Sequence, residues 1–318
     1  MNLRASHKVF ISQPFNSYSV YSVVNYFFIL LCALIALCGC ERGQTDGRPL
    51  VAVSIAPQEW FVARISGGRA RTLVLAGQGQ NPHNYEPTPR QINGLAGAGV
   101  WLLSGAEFEI TLRPKVERLF PALPIVDGAE GVVFRRLDGA QAHGDGDGEH
   151  GEFDRHTWLG REPAKILAAR VREALLALDP AREAFYTDNY DRLVWEIDAE
   201  FDALRHDLAP LRGTNIFVYH PSFGYFLDEF EIRQQAVETG GKTPGPRELS
   251  RLIALAQRER PTAIFVQAQF PVSAAKTVAD AVGAVTVSLD PLAPDWLANI
   301  RRMGDALLES AYWRASPP

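Results

Sequence analysis

EPAKILAARVREALLALDP, residues 162–180, decides how the rest of the chain is read. Its apolar side chains at Ile166, Ala169, Val171, Leu175, Leu176 and Leu178 recur with helical rather than alternating spacing, which predicts an amphipathic helix. A second helix is expected from Ala181 to Leu208. So much continuous helix makes a stiff connection rather than a floppy hinge.

On either side of this connector, short apolar runs alternate with longer amphipathic ones. Before it, LVAVSI (50–55), RTLVL (71–75), VWLLS (100–104) and PIVD (124–127) read as strands, with helices near 56–66, 88–98 and 107–119. After it, NIFVYH (215–220), EIRQQAV (231–237), TAIFVQ (262–267) and AVTVSL (284–289) read as strands, with helices at 222–229, 246–258, 271–282 and 294–310. Strands buried on both faces and separated by helices predict an α/β fold: two lobes, each with a mainly parallel sheet flanked by helices, joined by a long rigid helix. The expected boundaries are an N-terminal lobe at 49–160, the linker helix at 161–180 and a C-terminal lobe at 181–318. No internal repeat stands out.

A chain of 318 residues, 47% of them hydrophobic, has enough apolar material for a large core. The formal charge of −5, with basic residues scattered, provides no footprint for gripping phosphates, so nucleic acid is excluded as a partner. AVETGGKT (236–243) imitates a phosphate-binding loop, but Ala236 replaces its first glycine. Pro244 and Pro246 follow where a helix would have to present N–H groups.

The uncharged run Tyr26–Cys38, preceded by Arg4 and Lys8, has the length of a signal-peptide core and is short for a membrane span. It ends in Leu37-Cys38-Gly39-Cys40, which resembles a bacterial lipobox, in which the last cysteine, Cys40, is lipidated and becomes the first residue of the mature chain. The expectation is a signal peptide over 1–40, with an uncleaved N-terminal anchor helix as the alternative, a polar tether over 41–48, and a protein in the periplasm or otherwise outside the cytoplasm, lipid-anchored to a bacterial membrane. All three cysteines fall in the leader, leaving none for a disulfide or a thiolate metal site.

Histidines carry the chemistry. His83 in NPHNYEPTP follows a strand, His156 in DRHTW precedes the connector, and His220 closes the strand NIFVYH; Asp290 in SLDPL follows the last strand. Ligands in parallel α/β sheets gather beyond the carboxyl ends of strands, so these residues are placed to converge in the cleft between lobes. Three imidazoles and a carboxylate suit a four-coordinate Zn²⁺. Taken singly, a histidine at a strand end is more often a satisfied polar residue, and an aspartate before proline is usually a turn or cap. His206, in ALRHDLAP, reads as a surface residue.

From about residue 50 to 310 the chain resembles the solute-binding lipoproteins of bacterial zinc and manganese ABC transporters. The resemblance rests on PHNYEPTP (82–89), DRHTW (154–158), HPSFGYF (220–226), KTPGPRELSRLI (242–253), TAIFVQAQF (262–270) and SLDPL (288–292). It implies a metal held between two lobes by His83, His156, His220 and Asp290. It also implies partners: zinc ion, a membrane permease with its cytoplasmic ATPase, and the membrane through the lipid anchor, with the receptor itself a monomer. Manganese-type relatives tend to have a carboxylate in the place of His220, which favours zinc here. Arg155 and Asn81 depart from the family pattern, where proline and aspartate are usual.

HGDGDGEHGEFDRH (143–156) resembles a short form of the His- and acid-rich loop of zinc-type members, here over 138–155. Glycine at alternate places from Gly144 to Gly148 works against a preformed cage. His143, His150, Asp145, Asp147, Glu149 and Glu152 are therefore expected to collect metal loosely, or simply to be solvated. Rival readings are a manganese-type receptor, a metal-dependent adhesin of the same family, and a secreted zinc hydrolase in which a water takes the fourth position. The chain has no H-E-x-x-H and Asp290 is available to close the shell, so no enzymatic activity is expected.

Overall fold

Leu50–Ile55 (β1) is buried along nearly its whole length because both its edges are paired and both its faces are covered. The computed structural model describes residues 47–137, 153–238, 245–270 and 273–315. After β1 come Ala56–Ser66 (α1), Arg71–Ala76 (β2), Pro89–Leu95 (α2), Val100–Leu103 (β3), Glu107–Leu119 (α3) and Ile125–Asp127 (β4). All pairings are parallel, in the order β2-β1-β3-β4; Val53 lies opposite Val74 on one side and Leu102 on the other.

The connector follows as Arg161–Leu178 (α4) and Glu183–Asp207 (α5). The predicted helix forms, but its buried stripe is Ala164, Leu167, Ala168, Val171, Ala174 and Leu175, at i, i+3, i+4 and i+7 spacing. Ile166, Ala169, Leu176 and Leu178 sit half-buried at its margins. Helices α4 and α5 pack on each other, and both also pack on α1.

Then come Asn215–Val218 (β5), Gly224–Asp228 (α6), Arg233–Ala236 (β6), Pro246–Glu259 (α7), Ala263–Val266 (β7), Ser273–Val282 (α8), Val285–Ser288 (β8) and Trp296–Ala315 (α9). The second sheet is again parallel, in the order β6-β5-β7-β8. The two sheets thus repeat one winding, although the sequence shows no repeat. In each, the order reverses beside the first strand, which opens a crevice at the carboxyl ends.

Helix boundaries differ from expectation for local reasons. Helix α2 stops at Leu95, short of residue 98, in a stretch with Gly94, Gly97 and Gly99, where glycine disfavours helix. Helix α9 begins at Trp296 because Asp295 precedes it and its Oδ1 accepts from the Ala298 N–H.

One core runs from the first sheet (Trp101) through α1 (Phe61) and the connector (Leu167, Ile197, Phe201) to the second half (Phe226, Phe265, Trp296). A smaller cluster, including Phe217, Tyr219, Ile264, Ala256 and Val278, lies with α7 and α8. Trp296 is fully buried against Trp60 and Phe61 of α1, with ring centroids 5.7 and 5.0 Å apart. Its Nε1–H donates to the Trp158 carbonyl at 2.7 Å, and the Trp158 Nε1–H donates to the Pro291 carbonyl at 2.8 Å. These reciprocal bonds tie the segment after β8 to the start of the connector.

The leader with Cys40, most of the tether, and His143, Asp145, Asp147, Glu149, His150 and Glu152 lie outside the described residues. Among the described residues no helix is long and apolar enough to cross a membrane.

Candidate metal centre

The second lobe builds its part of the site from the ends of three adjacent strands. His220 stands two residues beyond β5. The Gln267 side chain, one residue beyond β7, accepts from the His220 N–H at 3.2 Å and donates to the His220 carbonyl at 2.7 Å. This amide clamp continues the strand pairing in side-chain form. Glu238, two residues beyond β6, places Oε1 2.6 Å from His220 Nδ1, and both groups are buried.

The first lobe works through loops. His83 lies between β2 and α2, its N–H donating to Asn81 Oδ1 at 3.0 Å. Gln91 secures the same loop: its Nε2 donates to the Leu75 carbonyl, and its Oε1 accepts from the Thr88 N–H and the Tyr85 hydroxyl. Glu107, the first residue of α3, places Oε2 3.1 Å from His83 Nδ1. The turn before it contains Gly105 at φ +86, the left-handed region, and is held by the buried Glu109 carboxylate accepting from Ser104 N–H and Gly105 N–H.

His156 depends on Asp154, whose Oδ1 accepts from the His156 N–H at 3.0 Å and lies 2.8 Å from its Nδ1. Asp154 Oδ2 lies 3.4 Å from a guanidinium nitrogen of Arg135, and Arg135 Nε donates to Asp228 of α6 at 2.7 Å. The Tyr225 hydroxyl donates to the Asp154 carbonyl and accepts from the Arg135 N–H. Gly224 permits this approach, for a Cβ there would stand 2.6 Å from Asp154 Oδ2.

With a carboxylate behind every Nδ1, the three Nε2 atoms point at one another. His83 Nε2 is 2.9 Å and His156 Nε2 3.3 Å from His220 Nε2, and one ligand atom from each histidine lies within 4.8 Å of the others. Three ring nitrogens this close can share a hydrogen bond or hold a cation between them. Burial drives the pKa of His220 well below its ordinary value, assisted by His83 and His156, so its ring is neutral. Burial also opposes charge on His83, but the bond and charge of Glu107 outweigh it and raise the pKa. Burial likewise opposes charge on Glu107, and its bond to His83 pulls the carboxyl down to about 2. Of the three rings, His83 is therefore the one whose surroundings favour the protonated form, and His220 the one whose surroundings favour the neutral form.

Ala106, Trp158, Phe270, Pro291 and Leu292 line the pocket with the histidines. Phe270 stacks on His220 with centroids 4.5 Å apart. Asn81, Glu107, Arg155 and Gln269 also line the pocket.

Asp290 lies two residues beyond β8, outside the group of ligand atoms within 4.8 Å. Its Oδ1 accepts from Leu292 N–H at 2.9 Å and from Gln269 Nε2 at 2.7 Å. His206 is exposed at the end of α5. Sequence reasoning missed Glu107, Asp154 and Glu238. Glu238 carried the same signal as His220, a position two residues past a strand, but it sits inside the discounted AVETGGKT.

Residues 51–310 match the family described as zinc-uptake complex component A, periplasmic. The chain belongs to this family. Among relatives, it is 23% identical over 268 residues to the zinc-binding lipoprotein AdcA of Streptococcus pneumoniae, covering 82% of this chain and 54% of that protein, so the match spans about half of that relative's length. It is 26% identical over 262 residues to the high-affinity zinc uptake system protein ZnuA of Yersinia pestis, covering 76% of this chain and 82% of that one. A crystal structure of ZnuA superposes with a TM-score of 0.76 at 29% identity, covering 83% of this chain and 99% of that one. The zinc-uptake component A family consists of solute-binding receptors rather than enzymes.

Proposed function

We propose that this protein is an extracytoplasmic receptor that captures Zn²⁺ at His83, His156 and His220 and delivers it to an ABC transporter permease driven by a cytoplasmic ATPase. The observation that carries this reading is the convergence of three imidazole Nε2 atoms, each backed at Nδ1 by a carboxylate. Borderline-soft nitrogen donors suit zinc better than the oxygen-seeking Mn²⁺. Membership of a zinc-uptake family, with relatives named for zinc binding and zinc uptake, supports the same cargo.

Asp290 completes the shell by exchanging the Gln269 amide for the ion, and a closed four-coordinate shell leaves no open position for a reactive water. Binding displaces a proton from His83 where that ring is protonated. Cys40 anchors the receptor by its lipid, and His143, His150, Asp145, Asp147 and Glu149 make loose first contacts with the ion. Metal analysis and competitive Zn²⁺ and Mn²⁺ titration of the leaderless protein, beside the triple alanine variant at His83, His156 and His220, test the assignment. One tightly held zinc, lost in the variant, is expected. Absence of tight zinc, or binding indifferent to the substitutions, would sink it.

A further inference from the structure

We infer that Glu107, Asp154 and Glu238 are positioning residues of the metal site, each holding the Nδ1–H of one histidine and so fixing the tautomer and aim of the Nε2 that meets the ion. The inference rests on the metal-receptor reading and adds to it the groups that set affinity.

The geometry is threefold and consistent. Carboxylate oxygens lie 3.1, 2.8 and 2.6 Å from Nδ1 of His83, His156 and His220. An imidazole that donates from Nδ1 must keep its lone pair on Nε2, and all three Nε2 atoms face the common point. The carboxylates come from separate elements: the start of α3, the segment before the connector, and the end of β6. No single local motif accounts for three such pairs.

Charge gives a second reason. A divalent ion held by three neutral imidazoles and the Asp290 carboxylate would still leave one net positive charge in a largely enclosed pocket, at a desolvation cost. Three carboxylates behind the rings reverse the sign of that balance. Because they face Nδ1, they act through the rings and not as oxygen ligands, which preserves the nitrogen donor set that selects zinc.

The three supports are unequally built. The Asp154 and Glu238 side chains are 0% and 2% exposed, whereas Glu107 is 37% exposed. Asp154 is also connected through Arg135 to Asp228 of α6, so a second-lobe helix helps to hold a histidine supplied before the connector.

The test is competitive Zn²⁺ titration of the purified protein and of Glu107→Gln, Asp154→Asn and Glu238→Gln, with Asp280→Asn on the exposed face of α8 as a control. Each of the first three should weaken zinc by roughly 10- to 100-fold, and the control should not. Nitrogen-15 ring shifts of the metal-free protein at alkaline pH supply an independent reading. Each site histidine should be the Nδ1–H tautomer in the parent and should lose that preference in its own variant. A merely structural role would lower the melting temperature without moving the tautomer. Unchanged affinities, or Nε2–H tautomers in the parent, overturn the inference. If Glu238→Gln fails to fold, the half-exposed Glu107 still decides the matter. If the parent holds no zinc, the receptor reading fails while the tautomer measurement still judges the positioning role.

Discussion

The two lobes share one strand order but present their ligands differently. The second lobe sets His220 at a strand end, clamps its backbone with Gln267, and leaves its side chain 7% exposed. The first lobe carries His83 on a loop, and His156 follows long after β4; their side chains are 27% and 14% exposed. One lobe therefore supplies a post clamped at a strand end, and the other supplies two more exposed arms held by loop hydrogen bonds. Groups held in place before binding lose less entropy when they bind, and the more exposed arms mark the side of the site that is open to solvent.

The largest expected effect is that of His220→Ala. A structural zinc site is worth about 10–16 kcal/mol over its ligands, so one imidazole is worth roughly 3 kcal/mol, or about a hundredfold in affinity. Here the loss also removes one buried partner of Glu238, which adds a cost in stability. Titration and thermal unfolding should both register it. His83→Ala should cost similar affinity but less stability than His220→Ala, since Glu107 keeps partial access to solvent. Equal melting losses in the two variants would break the contrast between post and arm.

The pH response sharpens the contrast further. The raised pKa of His83 means that its charged pair with Glu107 stabilises the metal-free fold fully below the ordinary histidine value of 6.5 and loses that contribution as pH rises through the higher folded value. The depressed Glu107 carboxyl contributes above its ordinary 4.5 and loses that contribution as pH falls toward about 2. His220, whose pKa burial lowers, contributes with the opposite sign and adds stability as pH rises through 6.5. Between pH 6 and pH 9, the melting temperature of metal-free Glu107→Gln should therefore change in a more positive direction than that of the parent. Zinc affinity should weaken below neutrality as protons reclaim His83. A pH response unchanged in Glu107→Gln would show that another group is responsible.

Smaller effects follow. Asp290→Asn should weaken zinc by less than any histidine substitution, because its carboxylate is engaged by Gln269 and Leu292 when the ion is absent. A loss as large as that of His220→Ala would make Asp290 an equal ligand. Deleting residues 143–152 should cost less than about tenfold, or 1.4 kcal/mol, if the loop only collects. A greater loss, read by the same titration, would place a tight ligand within it.

Most strands and helices were legible because β-branched and aromatic runs alternate cleanly with helical spacing. The three histidines were legible because each stands near the end of an element, where α/β folds keep their ligands. The repeated strand order was not, since pairing is a relation between distant segments that leaves no local mark. The buried stripe of α4 was read partly on its margin. Ala164, Leu167 and Ala168 look no more apolar than Ile166 and Ala169, and only the neighbouring helices α1 and α5 distinguish them. The positioning carboxylates escaped because Asp and Glu are common on surfaces, and burial is what separates Asp154 and Glu238 from ordinary charges.

The indole of Trp296 has a consequence for the order of synthesis. The first half of the chain is made first, yet part of its core, beside Trp60 and Phe61, is filled by a residue that emerges near the end. Until then α1 faces a hole the size of a tryptophan, a defect of about 3–5 kcal/mol in a finished protein. A nascent chain is thus kept from settling early. Pro291 and Leu292, which wall the histidine pocket, belong to the same late-made stretch and are tied by Pro291 to Trp158 at the start of the connector.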